Sequence, residues 1–454
     1  MKQGLIYPSF APVCILAKLL ANIFKILSGL YDAEAPNMLY SKQAIVLQYY
    51  YSDDKMSTPP DQSGFTHLEC PNCGCSFDAN CLQTICQDCQ SPLLARYDLA
   101  AIGKRVQPRD IRARPKGIWR WAEFLPVVDP AYRLTLGEGD TPLLVAPRLA
   151  TKLGINHLYI KDESLNPTGT FKARGLAVAV ARAIELGVDS FVIPSTGNAG
   201  GALAAYAARA KKKALVFMPN DTPAYNSLEV RKVGAELHLV DGVLSEAAQA
   251  ARAEVAAHTS QPASNGHSWL DVSTFREPYR LEGKKTMGFE IAESFDWELP
   301  EVIIYPTGGG TGLVGIWKAF DELLSLGWIN VKRPRMVCVQ ANGCAPVVRA
   351  FQNGDRRVET WHNPQTIAVG LRVPSVFADR LILNVLSESH GAAITVNDDE
   401  IIQAQNTLAK TEGIFAAPEG AATLAALGHL IKEGWIQKDE RIVLLNTGSG
   451  LKYV

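Results

Sequence analysis

The sequence lacks an excess of charge of either sign. Its 454 residues include 45 Lys and Arg against 46 Asp and Glu, so the formal net charge is −1. Because nucleic-acid binding relies on clustered positive charge, we expect no nucleic-acid partner. Internal repeats and low-complexity tracts are also missing. With 47% hydrophobic and 20% charged residues, the chain is typical of a globular protein rather than of a disordered one.

The sequence also lacks an uninterrupted apolar run long enough to span a bilayer. The strongest candidate, FAPVCILAKLLANIFKILSGL at residues 10–30, is interrupted by Lys18 and Lys25. A transmembrane helix needs about 20 mostly apolar residues with few charges. A secretory signal needs a clean apolar segment followed by a small-residue cleavage site. We therefore expect no membrane partner.

Cysteines are scarce outside one short segment. Six of the nine lie between positions 70 and 89, which is not the distribution of a secreted disulfide framework and favours a reducing, cytoplasmic location. Two pairs, Cys70-x2-Cys73 and Cys86-x2-Cys89, can wrap one tetrahedral zinc ion, and four thiolates leave no open position for a substrate. The segment therefore predicts a structural zinc site. Two further cysteines offer competing thiolates, so a cluster without metal stays an alternative.

The length predicts more than one domain, because single cores stop growing near about 300 residues. Residues 1–55 show no sustained periodicity, and Met56 opens MSTPPDQSG, a typical flexible start before a folded module. We interpret residues 1–55 as an extension, with Met56 as a candidate initiator. Residues 56–105 would form a Cys-rich, zinc-ribbon-like module. Residues 106–454 would form a catalytic α/β core of two subdomains.

From Leu136 onward, short β-branched runs alternate with Ala-rich helical stretches, which is typical of an α/β protein with a parallel sheet. The predicted strands are HLYIKDE, SFVIPST, KALVFMP, ELHLVDG, VIIYPTGGG, RMVCVQA and RIVLLNTG. Several of them end directly in Gly, Ser or Thr. Ligands in open parallel sheets gather at the carboxyl ends of strands, so we expect the chemistry in these loops.

The first of these loops, NPTGTFKARG at residues 166–175, places Lys172 at the start of a predicted helix. A helix N-terminus disfavours a cation, so this position helps to keep the amine neutral and nucleophilic. The motif alone is equally compatible with a surface lysine at a helix start.

Two further loops carry groups that suit a phosphorylated aromatic aldehyde. In PSTGNAGG at 194–201, Asn198 can donate to a ring hydroxyl, while Ser195, Thr196 and the helix-start amides can hold a carboxylate. Taken alone, this loop could be a simple helix cap. The run PTGGGTGL at 306–313 can expose backbone N–H groups to a phosphate. It lacks the GxGxxG and GxxxxGK spacings, which disfavours a dinucleotide or ATP site.

These three loops, with the strand end LNTGSG at 445–450, resemble the tryptophan synthase β family, which is fold type II of the enzymes that depend on pyridoxal 5′-phosphate (PLP). Within that family the chain is most similar to the threonine synthases. The shared segments are LGEGDTPL at 136–143, KDESLNPTG at 161–169, PYRLEGKKT at 278–286 and TGSGLK at 447–452. The resemblance implies a two-domain PLP fold preceded by the Cys-rich segment, and a homodimer.

The resemblance also implies a role for each matched residue. Lys172 would carry PLP as a Schiff base, Asn198 would contact the ring 3-oxygen, and Thr447 would present a hydroxyl to the pyridine nitrogen. Ser195, Thr196 and Arg280 would bind the substrate. The residues implied to hold the cofactor phosphate are Gly308, Gly309, Gly310, Thr311 and Gly312. The implied reaction converts O-phospho-L-homoserine and water to L-threonine and phosphate, with the Lys172 amine shuttling protons.

The sequence departs from the threonine synthase pattern at three places. Alanine replaces the usual acidic residue at 173, Thr274-Phe275 replaces an expected Asn-Ser pair, and TIAVGLRVP at 366–374 is closer to the serine and threonine dehydratases. A PLP-dependent ammonia-lyase or β-replacing enzyme is therefore the rival interpretation. A second cationic group beside Arg280 would favour the synthase, and the candidates are Arg276, Lys284 and Lys285. A hypothesis of another class is a zinc-binding amino-acid sensor with a silent α/β domain.

Overall fold

The computed structural model of the protein describes residues 62–259 and 268–454, with no side-chain description at 258 and 259. The predicted extension at 1–55 and the candidate initiator Met56 lie outside the described residues. Within the described ranges, no helix is both long and apolar enough to cross a membrane. The predicted absence of a nucleic-acid partner and the domain boundaries stay predictions.

The larger sheet has six strands in the order β12-β11-β10-β13-β5-β4. All neighbours in it are parallel except β4, which pairs antiparallel with β5 at the sheet edge. The middle strands are buried along nearly their whole length, as expected for a parallel sheet with helices on both faces. Its strands are β4 (Leu143–Val145), β5 (His157–Asp162), β10 (Val302–Pro306), β11 (Arg335–Ala341), β12 (Ala392–Val396) and β13 (Arg441–Asn446).

The smaller sheet has four strands, all parallel, in the order β8-β7-β6-β9. Its strands are β6 (Ser190–Pro194), β7 (Lys213–Pro219), β8 (Glu236–Val240) and β9 (Trp269–Asp271). All seven strands predicted from the sequence form in one sheet or the other. The predicted α/β class is therefore confirmed, and the structure adds β4, β9 and β12, whose runs are short or weakly alternating.

The Cys-rich segment forms a third, antiparallel sheet of three strands in the order β2-β1-β3. They are β1 (Phe65–Glu69), β2 (Ser76–Asp78) and β3 (Leu94–Tyr97). Cys70 and Cys86 of this module belong to the same buried cluster as Ala173 and Leu176 of the helix that begins at Lys172. Arg182 of that helix donates to the Ala79 carbonyl at 2.7 Å, so the module contacts the helix directly.

Helices cover the faces of the two parallel sheets. In chain order they are α1 (Leu99–Arg105), α2 (Pro108–Arg112), α3 (Pro147–Leu153), α4 (Lys172–Glu185), α5 (Asn198–Arg209), α6 (Ala224–Lys232), α7 (Leu244–Thr259), α8 (Tyr279–Ser294), α9 (Thr311–Ser325), α10 (Pro346–Asn353), α11 (Asp379–Glu388), α12 (Asp398–Glu412) and α13 (Pro418–Lys432). The 3₁₀ turns are Ile118–Phe124, Pro130–Tyr132, Glu163–Leu165, Pro167–Gly169, Val369–Leu371 and Gly450–Tyr453.

Three of these helices, α4, α8 and α9, meet at glycines. A Cβ at Gly283 of α8 would lie 2.0 Å from the Arg174 carbonyl oxygen of α4. On the other side of α8, a Cβ at Gly315 of α9 would lie 3.1 Å from the Lys285 nitrogen. Backbones that approach this closely leave no room for a side chain. The PYRLEGKKT segment therefore sits at the centre of a tight three-helix contact.

A buried ionic network locks α4 to its surroundings. The Arg174 guanidinium donates to both oxygens of Glu163, at 2.6 and 2.8 Å, and to both oxygens of Glu290, at 2.5 and 2.7 Å. Lys161 of β5 donates to Glu290 at 2.6 Å. Two cations face two carboxylates here, and the cations hold the pKa of Glu290 well below its ordinary value despite its burial. The network fixes the start of α4, where Lys172 lies.

Candidate active site

A cavity of about 350 Å³ lies at the carboxyl ends of strands from both parallel sheets. Its wall is built by the loops after β6 and β10, the end of β13 and the first residues of α4. A cavity of this size at this edge is typical of a small-molecule site. Predicted site residues in the wall are Lys172, Ser195, Thr196, Asn198, Arg280, Gly308, Gly309, Gly310, Thr311 and Thr447.

Lys172 is the first residue of α4, and its side chain enters the cavity beside the ring of Phe171. Its Nζ lies 4.4 Å from the centroid of that ring. Burial, and then the positive charge of Arg280, lower the pKa of Lys172 to about 8, while the carboxylate of Glu419 acts in the opposite direction. At pH 7 about one tenth of this amine is therefore unprotonated and nucleophilic, far more than for an exposed lysine.

Asn198 begins a hydrogen-bonded row across one side of the cavity. Its Nδ2 donates to the hydroxyl of Tyr453 at 3.0 Å, and that hydroxyl donates to Glu419 Oε1 at 2.9 Å. The same carboxylate oxygen accepts the backbone N–H of Gly370 at 2.6 Å. Asn198 Oδ1 is buried without a partner among the described residues. A ligand with a hydroxyl or ring donor would satisfy this oxygen.

The glycine loop after β10 comes close to its neighbours at several points. A Cβ at Gly308 would lie 2.3 Å from the Gly370 carbonyl oxygen, and one at Gly309 would lie 2.7 Å from Thr274. Gly310 caps α9 with φ +77°, a conformation that favours glycine. The loop therefore presents bare backbone at the N-terminus of a 15-residue helix, which suits an anion.

Gly312 is the predicted phosphate-loop residue that the structure does not bring to the cavity wall. A Cβ at this position would lie 1.8 Å from the hydroxyl of Tyr305. The glycine thus makes room for Tyr305, which itself lines the cavity. The pattern PTGGGTGL could not separate glycines that face a ligand from one that faces the protein.

The loop after β6 is organised by Ser195. Its Oγ accepts the backbone N–H groups of Gly197 at 3.1 Å and Gly200 at 3.0 Å. Ser195 therefore caps α5, as the simpler interpretation of this loop held, and it also lines the cavity beside Thr196. Across the cavity, the carbonyl of Thr447 accepts the backbone N–H of Phe171 at 3.1 Å, which joins the end of β13 to the start of α4.

Three arginines stand on the remaining side of the cavity. They are Arg280 of α8, Arg276 in the turn before it and Arg252 of α7. Arg280 is fully buried; its Nη1 donates to the Val272 carbonyl at 2.6 Å, and its Nε has no partner among the described residues. The Arg276 guanidinium lies 4.2 Å from the centre of the Phe377 ring. In the described part of the chain, none of the three forms a salt bridge with a carboxylate.

The charges near these arginines do not balance. Burial lowers the pKa of Arg280, and the charges of Glu277 and Asp271 offset this only in part. Burial also raises the pKa of Glu277 to about 7, so this carboxyl is only partly charged near neutral pH. Three arginines thus face one cavity-lining carboxylate, Asp271, and the partly charged Glu277, so this side of the cavity keeps a net positive charge. It suits a ligand with a further anionic group.

Several of these residues were not assigned a role from the sequence. Arg252, Glu419 and Tyr453 belong to none of the motifs described above. Of the three bases considered beside Arg280, only Arg276 lines the cavity. Lys285 instead pairs with Glu282 and Glu322 in a separate buried cluster. No sequence signal could have made this distinction, because the three residues lie within ten positions of one another and their surroundings come from distant parts of the chain.

The four predicted metal ligands come together away from the cavity. The Sγ atoms of Cys70, Cys73, Cys86 and Cys89 all lie within 4.8 Å of one another. Three of the Sγ–Sγ distances are 3.4, 3.5 and 3.7 Å. Zinc–sulfur bonds of ~2.3 Å in a tetrahedron require sulfur atoms about 3.8 Å apart. The thiolate set therefore fits zinc.

The two cysteine pairs sit on matching turns. The N–H of Gly74 donates to the Cys70 carbonyl at 2.9 Å, and the N–H of Gln90 donates to the Cys86 carbonyl at 3.0 Å. Both turn residues have positive φ, +77° and +57°. The competing thiols lie outside the four-sulfur set. They belong to Cys75, whose Sγ donates a hydrogen bond to Asp88 Oδ2 at 3.0 Å, and to Cys81, whose Sγ lies 3.8 Å from Asp78 Oδ2. A second possible ligand group joins Cys73 and Cys75 to Asp88.

Comparison with known proteins places the chain in a class. The family model described as "Pyridoxal-phosphate dependent enzyme" matches residues 134–448. A fungal L-serine ammonia-lyase from Rhizomucor miehei shares the fold, with a TM-score of 0.58 and 24% identity over 68% of this chain and 93% of that one. A threonine deaminase from T.th. has a TM-score of 0.55 and 26% identity over 68% and 92% of the two chains. The chain belongs to the pyridoxal-phosphate dependent enzymes of this fold.

Curated sequences narrow the assignment. The threonine synthase of Methanocaldococcus jannaschii is 38% identical over 384 residues, which cover 84% of this chain and 92% of the relative. That of Methanosarcina acetivorans is 35% identical over 85% and 92% of the two chains. A Bacillus threonine synthase is 34% identical over 74% of this chain and 90% of the relative. Within its class, the chain belongs to the threonine synthase family.

The residues present fit the cofactor that defines the class. PLP needs an amine for its aldehyde, donors for its phosphate and polar partners for its ring. Lys172 offers an amine with a depressed pKa. The loop from Gly308 to Thr311 offers bare backbone at a helix N-terminus, and Asn198 has a buried oxygen without a partner among the described residues. The predicted PLP requirement is thus consistent with both the family and the cavity.

Proposed function

We propose that this enzyme converts O-phospho-L-homoserine and water to L-threonine and inorganic phosphate, as a carbon–oxygen lyase acting on phosphates. The observation that carries the proposal is the arginine wall formed by Arg252, Arg276 and Arg280. An ammonia-lyase acting on serine or threonine has only one substrate anion to hold. A substrate with a second, γ-phosphate anion needs cationic donors, and guanidinium groups bind phosphate well.

The remaining site assignments extend the same proposal. Gly308, Gly309, Gly310 and Thr311 would hold the cofactor phosphate, and Asn198 and Thr447 would contact its ring. Ser195, Thr196 and the first N–H groups of α5 would bind the substrate carboxylate. Ser195 supports this assignment only in part, because its Oγ already receives two backbone amides. Gly312 would contribute through the backbone of α9 rather than through the cavity wall.

PLP, when bound, supplies an electron sink that makes the carbon-bound protons beside the amino group acidic. The protein contributes a proton carrier at Lys172 Nζ, whose lowered pKa lets it accept and return protons near pH 8. Arg276 and Arg280 would neutralise the phosphate as it departs from Cγ. The Asn198–Tyr453–Glu419 row would orient the ring face toward Lys172.

The experiment that tests the function supplies purified protein and PLP with O-phosphohomoserine, serine and threonine in separate reactions. Phosphate, threonine, ammonia and 2-oxo acid are quantified in each. Equal amounts of phosphate and threonine support the synthase. Ammonia and 2-oxo acid from serine or threonine, without phosphate release from O-phosphohomoserine, would replace the proposal with the rival lyase.

Arg276 allows a sharper version of this test. In Arg276→Gln we expect KM for O-phosphohomoserine to rise about 10- to 100-fold, because a charge-assisted hydrogen bond to phosphate is lost. Turnover of an unphosphorylated amino acid should not change. The matched control is Arg209→Gln, which removes an exposed arginine at the end of α5, outside the cavity wall. An unchanged KM in Arg276→Gln would remove this residue from the phosphate site.

We further propose that Cys70, Cys73, Cys86 and Cys89 hold one structural zinc ion. The sulfur spacing and the two matching turns support this assignment. We also propose a cytoplasmic homodimer with the domain boundaries stated above. The cysteine distribution supports the location, and the family resemblance supports the oligomeric state. Sedimentation of the purified protein tests the oligomeric state directly.

A further inference from the structure

Lys284 is a buried amine for which the proposed reaction has no use. It lies on α8, is completely shielded from solvent and does not line the cavity. Its side chain passes Gly175 of α4, where a Cβ would lie 3.1 Å from Lys284 Cε. Its Nζ donates a hydrogen bond to Thr311 Oγ1. The side chain thus contacts Thr311, the first residue of α9, from the side that faces away from the cavity.

Lys284 has no counter-ion in the described part of the chain. Its neighbour Lys285 pairs with Glu282 at 2.6 Å and with Glu322 at 2.9 Å, whereas Lys284 forms no salt bridge. A buried ammonium without an anionic partner is strongly unfavourable. Either the amine is neutral in the ligand-free protein, or its anion comes from outside the chain.

The groups around Lys284 favour a neutral amine in the ligand-free protein. Burial, and then the charges of Arg280 and Lys172, lower its pKa well below the ordinary value. The carboxyl of Glu277 acts in the opposite direction, but it is held by the backbone N–H groups of Tyr279 and Arg280. No other titratable group shapes its pKa among the described residues. An anion that docks at Thr311 would reverse this balance.

The contact with Thr311 fixes the direction of the threonine hydroxyl once the Lys284 amine is protonated. A neutral amine can donate to Oγ1 or accept its hydrogen, whereas an ammonium can only donate, which leaves the hydroxyl hydrogen free to donate into the cavity. Thr311 lines the cavity and begins α9, whose N-terminus carries the glycine loop. A phosphate dianion at this loop would receive the hydroxyl and backbone donors and would bring negative charge close to the buried amine.

We propose that Lys284 is the concealed counter-ion of the cofactor phosphate, and that its amine takes up one proton from solvent when the dianion docks at the glycine loop. Lys284 is then a positioning residue that acts through Thr311, not a residue that touches the reacting atoms. The proposal rests on the assignment of the phosphate to this loop, made above. It does not depend on which amino acid is the substrate.

The test uses the full chain freed of cofactor and two ligands that cannot form an imine, pyridoxine 5′-phosphate and pyridoxine. Their affinities are measured by calorimetry for the wild type, Lys284→Met and Lys284→Gln. We expect Lys284→Met to weaken pyridoxine 5′-phosphate binding about 10- to 100-fold and to leave pyridoxine unchanged. Gln keeps a hydrogen-bond donor for Thr311 but has no charge. Lys284→Gln should therefore lose nearly as much affinity for pyridoxine 5′-phosphate as Lys284→Met.

Proton uptake gives a second readout that packing alone would not change. Titrations in two buffers of different ionisation enthalpy count the protons taken up with pyridoxine 5′-phosphate. The wild type should take up about one proton more than Lys284→Gln near neutral pH. Circular dichroism confirms that each variant folds. If Lys284→Met does not fold, the comparison with Lys284→Gln alone is sufficient.

Each outcome decides between the inference and its alternatives. The role of Lys284 is overturned if the variants lose affinity equally for both ligands, or lose none. It is also overturned if the variants take up as many protons as the wild type. If the wild type itself does not prefer the phosphorylated ligand, the glycine-loop assignment fails, and the inference fails with it. A preserved phosphate preference without any Lys284 effect rejects only the inference.

Discussion

At the scale of single residues, Lys172 shows how the environment of a side chain changes its chemistry. An exposed lysine is almost fully protonated near pH 8, because its ordinary pKa is close to 10.5. Burial and Arg280 lower that pKa to about 8. This shift lowers the free energy of unfolding as pH falls from about 10 to about 8, because the unfolded chain takes up the proton first. Below pH 8 the loss stays constant.

The capture of a carbonyl by Lys172 should follow this pKa. The rate of reaction between the cofactor-free protein and pyridoxal, which lacks the phosphate, should rise about tenfold per pH unit below pH 8 and level off above it. Glu419→Gln removes a neighbour that raises the Lys172 pKa, so its midpoint should move to lower pH. Visible absorbance of the adduct gives the rate. A midpoint that stays near 10.5 in the wild type would contradict the assigned environment.

At the scale of secondary structure elements, the close contact between α4 and α8 depends on glycine, which has no side chain, at position 283. Gly283→Ala places a methyl group 2.0 Å from a backbone oxygen of α4, so the two helices must separate. We expect a loss of about 1 to 3 kcal/mol in the free energy of unfolding, larger than the gain in helix propensity from Ala.

The matched control for that substitution is Gly428→Ala. Gly428 lies inside α13, and a Cβ there would meet nothing within 4 Å. The same change should therefore stabilise the protein by about 0.5 to 1 kcal/mol. Urea unfolding of both variants measures the two effects. If both shift stability in the same direction, the close helix contact is not what limits position 283.

At the scale of the whole molecule, the Cys-rich module is joined to the catalytic core by more than its metal ligands. The Arg182 guanidinium of α4 donates to the Ala79 carbonyl at 2.7 Å and lies 5.4 Å from the ring centre of Phe65. Phe65 also packs edge-on against Tyr279 of α8. Both α4 and α8 therefore touch the module, so its loss should disturb the packing of α4, the helix that begins at Lys172.

Zinc removal tests this coupling. Cys73→Ser should lower zinc content well below one ion per chain and reduce the free energy of unfolding by about 3 kcal/mol or more, since metal binding is coupled to folding. Cys81→Ser is the matched control, because Cys81 is exposed and lies outside the four-sulfur set. Metal analysis and thermal melting report the two quantities. Equal zinc content in wild type and Cys73→Ser would reject the assigned ligands.

Local sequence patterns were enough to predict the α/β class, the seven main strands and the loops that form the cavity. Local patterns were sufficient because a β-branched run followed by Gly, Ser or Thr already encodes a buried strand and its ligand-facing end. Lys172 was not selected by its local motif alone, which is equally compatible with a surface lysine; its assignment needed the resemblance of several loops to one family. The cysteine pairs were visible in the sequence alone, because their spacing is local.

Which charges meet in the cavity depends on packing between distant parts of the chain. Arg252 comes from α7, Arg276 from the turn before α8 and Tyr453 from the last four residues, and no local pattern links them. Residues close together in the sequence also lie in different surroundings. Arg276 lines the cavity, Lys284 contacts Thr311 next to the glycine loop, and Lys285 joins a separate ion cluster. The physical reason is that a side chain's environment depends on which surfaces pack around it, and those surfaces come from residues distant in the chain.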